Sequence, residues 1–159
     1  MPRVVPKEES QLGLTEDGRW LHDGEAATHA GVRRFFHQQI RKDEAGAFYL
    51  YNSIYVPEKD LTLEEHVYFS VEDTAYFVES LSVDDDGFVA KLNTGSEVEL
   101  SADALRQDDQ GRVYCRLPAG DEARLLRHAL SQLEPHLVEV DDGVAVAVGG
   151  ASYPILPRG

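Results

Sequence analysis

The basic residues between positions 31 and 42 form a cluster whose types and spacing suit ligand chemistry. This stretch contains Arg33, Arg34, Arg41 and Lys42 and no acid, in a chain of net charge −14. Paired arginines hold phosphate and carboxylate groups through two parallel hydrogen bonds, so the cluster is typical of an anion site. The alternative is a solvated helix face whose cations near the C-terminal end interact favourably with the helix dipole.

Arginines later in the chain would extend such a site. Arg116, Arg124 and Arg127 would face the first group if the two halves of the protein pack with pseudo-symmetry. We therefore expect an anionic small molecule bound between the halves, with two acids selecting or orienting it. The expected ligand-binding residues are Arg33, Arg34, His37, Glu72, Asp73, Arg116 and Arg124.

Motifs for catalysis and metal binding are incomplete in this sequence. The acids of "DDDG" at 84–87 are contiguous, whereas a calcium loop needs them at alternate positions, so the segment predicts a turn. No two histidines have H-E-x-x-H spacing, and neither a G-x-S-x-G nor a P-loop sequence is present. Cys115 lies in a strand pattern, which favours a buried, inert thiol. We expect no catalytic residue, no metal and no cofactor.

Composition narrows the class of partner. The 29 acids against 15 bases repel nucleic-acid phosphates and anionic membranes, so neither DNA, RNA nor a membrane is expected. A single cysteine excludes an intramolecular disulfide and a Cys-x-x-Cys zinc site. The N-terminus has no apolar core of signal-peptide length, and the most apolar stretch, 143–155, is too short and glycine-rich to span a bilayer. These features predict a cytoplasmic protein.

Turn signals along the chain predict a mainly antiparallel sheet. Asp-Gly and related pairs recur beside short alternating runs, as in successive hairpins. Residues 28–42 and 121–133 have helical periodicity instead, with Asp121 a candidate N-cap. In the first helix one side carries Val32, Phe35, Phe36, Gln39 and Ile40, and the opposite side carries Arg33, Arg34, His37 and Arg41. The predicted fold class is therefore α+β with two helices.

The order of these signals predicts a duplicated strand–helix–strand unit. Gly18-Arg19 matches Gly111-Arg112, and Val32-Arg33 matches Ala123-Arg124. The predicted parts are a flexible arm over 1–12, an N-terminal α+β unit over 13–65 and a C-terminal β-rich unit with one helix over 66–159. Residues 57–65 are expected to be an acidic surface connection, and Trp20 is expected to anchor a strand on the following helix.

Seven ordered segments also resemble a known bacterial family. They are "GLTEDGRWLHDGE", "VRRFF", "GAFYLYN", "VEDTAYFV", "LNTGSEV", "VYCRLPAGDEARLLRHAL" and "GGASYPI", and across roughly residues 13–155 they are similar to family 1285 of the domains of unknown function (DUF1285). The matching positions are Gly18, Trp20, Arg33, Glu72, Asp73, Asn93, Thr94, Arg116, Gly149, Gly150 and Pro154. Ala147 stands where the resemblance implies a tryptophan.

The resemblance implies a domain duplication whose C-terminal half is loosely similar to pleckstrin-homology-like folds. It further implies a pocket between the halves for a nucleotide-like ligand, a role in signalling and no catalytic activity. Three hypotheses remain at this point. The first is a non-enzymatic ligand-binding or regulatory protein, and the second is a protein–protein interaction module with an exposed sheet face or edge, whose partner is another protein or a homo-oligomer. The third is an enzyme with an acid–base pair among Glu72, Asp73 and His37.

Overall fold

The computed structural model describes residues 1–159, which form two compact units, Met1–Ala75 and Tyr76–Gly159. Strands dominate, arranged in four sheets with three short α-helices, which confirms the α+β class. The longest helix, Ala30–Gln38, has nine residues, and none of the helices has the length and apolar character needed to cross a bilayer.

The first unit consists of two four-stranded sheets and two helices. One sheet has the strand order β1-β7-β6-β5 and the other β4-β3-β2-β8. Its elements are β1 (Arg3–Val5), α1 (Lys7–Ser10), β2 (Leu12–Leu14), β3 (Trp20–His22), β4 (Glu25–Ala26), α2 (Ala30–Gln38), β5 (Ile40–Lys42), β6 (Phe48–Val56), β7 (Leu61–Tyr68) and β8 (Ser70–Val71). Its buried apolar side chains include Leu12, Leu14, Trp20, Ile40, Leu50 and Phe69.

The second unit contains a seven-stranded sheet, a three-stranded sheet and one α-helix. The large sheet has the order β11-β10-β9-β14-β13-β12-β18 and the small one β15-β16-β17. The elements are β9 (Tyr76–Val83), β10 (Gly87–Leu92), β11 (Glu97–Ser101), β12 (Leu105–Gln107), β13 (Val113–Arg116), β14 (Glu122–Leu125), α3 (Arg127–Leu133), β15 (Leu137–Val140), β16 (Gly143–Val148), β17 (Ala151–Pro154) and β18 (Leu156–Pro157). Alternate residues of these strands and one side of α3 form its apolar core.

The two units contain the same eight-element repeat. The series β2, β3, β4, α2, β5, β6, β7, β8 recurs in order as β12, β13, β14, α3, β15, β16, β17, β18. In each series the first three strands are antiparallel neighbours, and the three strands after the helix form an antiparallel meander. The last strand then pairs in parallel with the first. The predicted duplication is therefore present at the level of topology.

The opening hairpin of each repeat has the same turn. Gly18 donates its N–H to the Thr15 carbonyl, and Gly111 donates to the Asp108 carbonyl. Both glycines have φ of 85°, a left-handed conformation that glycine adopts without strain. The sequence match of Gly18-Arg19 with Gly111-Arg112 thus identifies equivalent positions.

The first helix is shorter than predicted, and four of its side chains lie on the opposite side from the one predicted. The helix covers Ala30–Gln38, not 28–42, so Arg41 and Lys42 lie on β5. Val32 and Phe35, expected inside, are 42% and 47% exposed, whereas Arg33 and His37, expected outside, are half-buried. The ring of Trp20 determines this orientation, because its contacts with Phe36 and His37 hold that side of the helix inward.

The second predicted helix begins six residues late. Residues Glu122–Leu125 form β14 between β13 and β9, and only Arg127–Leu133 are helical. Ala123 and Leu125 are buried at strand spacing. The apolar residues of 121–133, which have the spacing of a single helix, are therefore divided between β14 and α3. Asp121 is therefore not an N-cap. The match of Val32-Arg33 with Ala123-Arg124 is also wrong, since it equates a helix with a strand.

Two segments expected to lack regular structure form strands. After the 3₁₀ turn Pro57–Lys59, β7 begins at Leu61 and pairs along its whole length with residues 49–56 of β6, so 57–65 is not merely a connection. Residues 1–12 include β1, which pairs in parallel with β7, and the short helix α1. The "DDDG" turn, predicted from the sequence, joins β9 to β10, and "TGS" at 94–96 joins β10 to β11.

Candidate functional site

Trp20 is the centre of an aromatic cluster in the first unit. Its side chain is fully buried, and its ring contacts Phe69 at a centroid distance of 4.8 Å and Phe36 at 5.5 Å, both edge to face. His37 lies 5.5 Å away in a tilted arrangement. Trp20 on β3 therefore anchors its strand on α2, as the sequence predicts. Its indole Nε1 has no hydrogen-bond acceptor.

Arg33 differs from the other basic residues of the cluster because part of its side chain is buried. It lies one helical turn before His37 on α2, and its guanidinium Nε is buried without a hydrogen-bond acceptor. A buried N–H donor of this kind is normally paired. His37 therefore has two neighbours that each carry an unpaired donor, Arg33 and Trp20.

His37 is held in its neutral form. Burial lowers its pKa to about 4, against an opposing hydrogen bond with the backbone of Gly18 and with a further lowering by the positive charge of Arg33. At neutral pH the ring is uncharged. The inner side of α2 therefore presents one positive charge, that of Arg33.

The other basic residues of the predicted cluster lie elsewhere. Arg34 is exposed on α2. On β5, the Arg41 guanidinium lies 5.9 Å from the ring of Tyr51, and the Lys42 ammonium lies 5.7 Å from the ring of Phe48. These cations cover aromatic side chains of the neighbouring β6.

Glu72 and Asp73 follow β8 at the end of the first repeat. The Oε2 of Glu72 accepts a hydrogen bond from the Glu16 N–H at 2.9 Å, and the Glu72 N–H donates to the Leu14 carbonyl. Glu72 is exposed and Asp73 half-buried. Glu72 therefore ties the end of the repeat to its opening turn, which is a structural role beside the predicted ligand-binding one.

Arg116 and Arg124 lie on the hairpin β13–β14 of the second unit. Tyr114 pairs with Arg124 and Arg116 with Glu122 across the hairpin, so all four side chains share one face of the sheet. Arg158 stacks over Tyr114 at 3.7 Å from the ring centroid and forms an ion pair with Glu122 at 3.1 Å. This face is rich in arginine. Sequence reasoning missed Arg158, because a residue of the C-terminal tail carries no local signal for Tyr114.

Cys115 points to the opposite face of that hairpin. The thiol is fully buried, and burial raises its pKa to about 12. The predicted burial of this thiol is therefore confirmed, and its low reactivity stays a prediction.

The "DDDG" segment is a turn stabilised by its own carboxylate. Asp84 Oδ1 accepts hydrogen bonds from the N–H groups of Asp86 and Gly87 at 2.8 and 2.9 Å. This is turn chemistry of the Asx type.

The fold is shared with two solved structures. A DUF1285 family protein from Silicibacter pomeroyi DSS-3 superposes with a TM-score of 0.65 and 18% identity, over 99% of this chain and 84% of that one. A second, from Shewanella baltica OS155, has a TM-score of 0.54 and 17% identity, over 81% of this chain and 94% of that one. No family model and no curated protein matches the sequence. The resemblance inferred from the seven segments is thus confirmed as a likeness of fold.

Proposed function

We propose that this protein is a non-enzymatic, regulatory binder of a small anionic molecule, with Arg33 as its principal donor. The observation that carries this proposal is the buried Arg33 Nε, which has no acceptor. Leaving a buried donor unpaired costs about 1–3 kcal/mol, and more for a charged group. A phosphate or carboxylate oxygen would remove that penalty and match the planar guanidinium.

The neighbours of Arg33 support an anion rather than a cation. His37 is neutral at pH 7 because its pKa is about 4, and α2 contains no acidic residue that would neutralise Arg33. Trp20 is enclosed by Phe36 and Phe69, so its ring is not available as a platform for a base. If the ligand is a nucleotide, we expect this unit to recognise its phosphate.

The same groups argue against acid–base catalysis. A general base works best with a pKa near the operating pH, and that of His37 is about 4. Glu72 accepts a backbone hydrogen bond from Glu16. We therefore propose binding without chemistry, which suits a signalling role. The net charge of −14 supports a small ligand rather than a nucleic acid or a membrane.

A calorimetric titration tests the proposal with inorganic phosphate, adenosine monophosphate and adenosine. We expect the two phosphate-bearing probes to bind and adenosine to bind at least tenfold more weakly. Arg33→Met should weaken phosphate binding by about 10- to 100-fold, which corresponds to the 1.5–3 kcal/mol of a hydrogen bond to a charged group. Its matched control, Arg34→Met, removes the same charge from the next, exposed position and should change affinity less than threefold.

The second unit is tested in the same titration. If Arg116 and Arg124 belong to the ligand-binding set, Arg116→Met and Arg124→Met will each weaken phosphate binding. Absence of phosphate binding, or an equal loss in Arg33→Met and Arg34→Met, would contradict the proposal. An equal loss would mean that only the overall charge matters.

The alternative function, a protein–protein interaction module, is favoured by a different observation. The outer half of the β6–β7 hairpin has an open strand edge and exposed apolar side chains, including Ile54, Leu61 and Leu63 at 45–48% exposure. Exposed apolar groups next to an open strand edge are typical of an interaction surface.

A further inference from the structure

The hairpin of β6 and β7 extends beyond the strands that flank it. On the β5 side, pairing covers only Phe48–Leu50, followed by one hydrogen bond from the Tyr51 N–H to the Gln39 carbonyl. Residues 52–56 of β6 have β7 as their only strand neighbour. Backbone groups alternate in direction along a strand. Because those of Tyr51 point towards β5, those of Ser53 and Tyr55 point to the open edge.

This edge lacks the features that usually protect an exposed strand. Such edges are normally blocked by lysine, proline, a bulge or inward-pointing charge. The edge segment 52–56, "NSIYV", contains none of these, and its pairing with β7 has no register shift. Ile54 and Tyr55 are 47% and 58% exposed. The segment is therefore competent to pair with another strand.

We propose that a second copy of this chain covers the edge, so that two β6 strands pair antiparallel about a two-fold axis at Ile54. In this register Ser53 lies opposite Tyr55 of the second copy, and each of the two such pairs exchanges both N–H···O bonds. Ile54 lies opposite Ile54 of the second copy in a non-hydrogen-bonded pair, where side chains come closest. Antiparallel pairing of the same edge in two copies gives an isologous interface, in which both subunits of a two-fold dimer use the same surface.

Charge favours a second copy as the occupant. A chain of −14 repels itself over most of its surface, but the edge segment 52–56 has no charged residue. Three acids near the segment already have partners, since Glu64 accepts from the Tyr51 hydroxyl, Glu65 pairs with Arg3, and Asp60 accepts from the Tyr55 hydroxyl, while Glu58 lies in the turn beyond the segment. A basic partner would find no acid within this segment, whereas two copies of the segment place no like charges opposite each other.

The apolar surface beside the edge fits the same arrangement. A cavity of about 210 Å³ is lined by Phe35 of α2 and by Asn52, among others. In the proposed register Val56 of the second copy lies opposite Asn52, on the side of the sheet that Phe35 covers. Phe35 is 47% exposed, and the second copy would shield it. The inference is independent of the anion site, because it uses no residue of that site.

The mass of the protein in solution tests whether it forms the proposed dimer. Light scattering should give twice the chain mass of 17.7 kDa. Ser53→Pro removes an N–H that points to the open edge and leaves the β7 bonds intact, and Ile54→Lys places like charges opposite each other at the axis. Both should yield a monomer with an unchanged circular dichroism spectrum. The matched control Leu63→Lys, on the adjacent strand and equally exposed, should remain a dimer.

Cysteine cross-linking tests the register. A non-hydrogen-bonded antiparallel pair has Cα atoms about 4.5 Å apart, within the range of a disulfide. Ile54→Cys should therefore form a covalent dimer on mild oxidation, while Asn52→Cys and Leu63→Cys should not. A monomeric wild-type protein at 100 μM, a dimer unaffected by Ser53→Pro and Ile54→Lys, or preferential cross-linking at position 63 would each overturn the proposal. So would a wild-type monomer that gains mass only with another protein.

Discussion

Arg33 lies one helical turn from His37, and its positive charge helps to hold the pKa of His37 at about 4. The relationship is unusual for a helix in an acidic chain, because the two basic side chains turn inward while Val32 and Phe35 are exposed. An exposed helix face is normally polar and a buried one apolar. Exceptions to such local rules concentrate at functional sites, and here both sides of the helix carry a proposed interaction.

The unpaired Arg33 Nε predicts that this residue destabilises the ligand-free protein. Replacing Arg33 with methionine keeps the apolar stem and removes the unpaired donor, so the free energy of unfolding should rise by about 1 kcal/mol. Urea denaturation without added anion measures this change. Arg34→Met, at an exposed position, should stay within about 0.5 kcal/mol of wild type. A loss of stability in Arg33→Met would show that the donor is already satisfied.

The lowered pKa of His37 predicts a loss of stability on acidification. The unfolded side chain has a pKa near 6.5, whereas the folded one has a pKa of about 4. Between these values the unfolded chain binds a proton that the folded chain does not, so the stabilisation is present above pH 6.5 and disappears as the pH falls towards 4. Because the ring is partly exposed and screened by solvent, we expect about 2 kcal/mol.

Urea denaturation at pH 7 and pH 4.5 checks the His37 prediction. The difference in unfolding free energy between the two pH values should be smaller by about 2 kcal/mol in His37→Gln than in wild type. His128→Gln, at an exposed position of α3, should retain the wild-type difference. Identical pH profiles for all three proteins would mean that His37 is protonated as readily folded as unfolded.

Alanine substitutions at the neighbouring Gly149 and Gly150 should lower the stability of the protein by different amounts. Gly149 and Gly150 both have positive φ, 59° and 82°, but a Cβ on Gly149 would lie 2.3 Å from the Asp85 carbonyl oxygen, and one on Gly150 would meet nothing within 4 Å. Gly150→Ala should cost about 1–2 kcal/mol from backbone strain, and Gly149→Ala a further 1–3 kcal/mol from overpacking. Thermal denaturation compares them. Equal losses would indicate that the Asp85 turn moves away freely.

The buried Cys115 predicts a thiol that reacts only after unfolding. With a pKa of about 12, the thiolate fraction at pH 8 is about 10⁻⁴, and only the thiolate is nucleophilic. Ellman's reagent should label the native protein at the rate of global unfolding and the urea-denatured protein within minutes. Rapid labelling of the native protein at pH 8 would contradict the burial of this side chain.

The turns could be predicted from sequence because their chemistry is local. Asp84 makes its turn with its own backbone neighbours, and Gly18 and Gly111 provide positive φ within four-residue segments. Such features do not depend on the rest of the fold. The position of Cys115 was predictable for the same reason, since strand alternation decides which face it occupies.

The helices were harder to predict, because pairing with distant strands overrides the helical spacing of apolar residues. Leu125 fits a helical stripe with Ala129, yet it lies on β14 because β9 and β13 supply hydrogen-bonding partners on both sides. Ile40 likewise continues the helical spacing of apolar residues in α2, but it lies on β5 and pairs with Leu50. Both segments satisfy a helical pattern locally, and only distant strands favour the extended form.

The sequence predicts the candidate site as a cluster of charge, and the structure turns only one cation of that cluster, Arg33, inward. Four cations within twelve positions indicate an anion site, but the sequence does not distinguish Arg33, with its buried Nε, from the exposed Arg34. That distinction depends on the rotation of α2 about its axis, which the contacts of Trp20 with Phe36 and His37 fix. These contacts join residues distant in sequence and leave no local pattern.

The parallel pairing of β2 with β8 and of β12 with β18 brings the two ends of each repeat side by side. A unit built in this way begins and finishes at the same place on its surface. Each repeat therefore closes its own strand order, and the chain between the two repeats is free to form the additional strands β9, β10 and β11. The same adjacency makes each repeat suitable for circular permutation; in the first repeat, new termini would open in the turn after β3 and a short segment would join Val71 to Leu12.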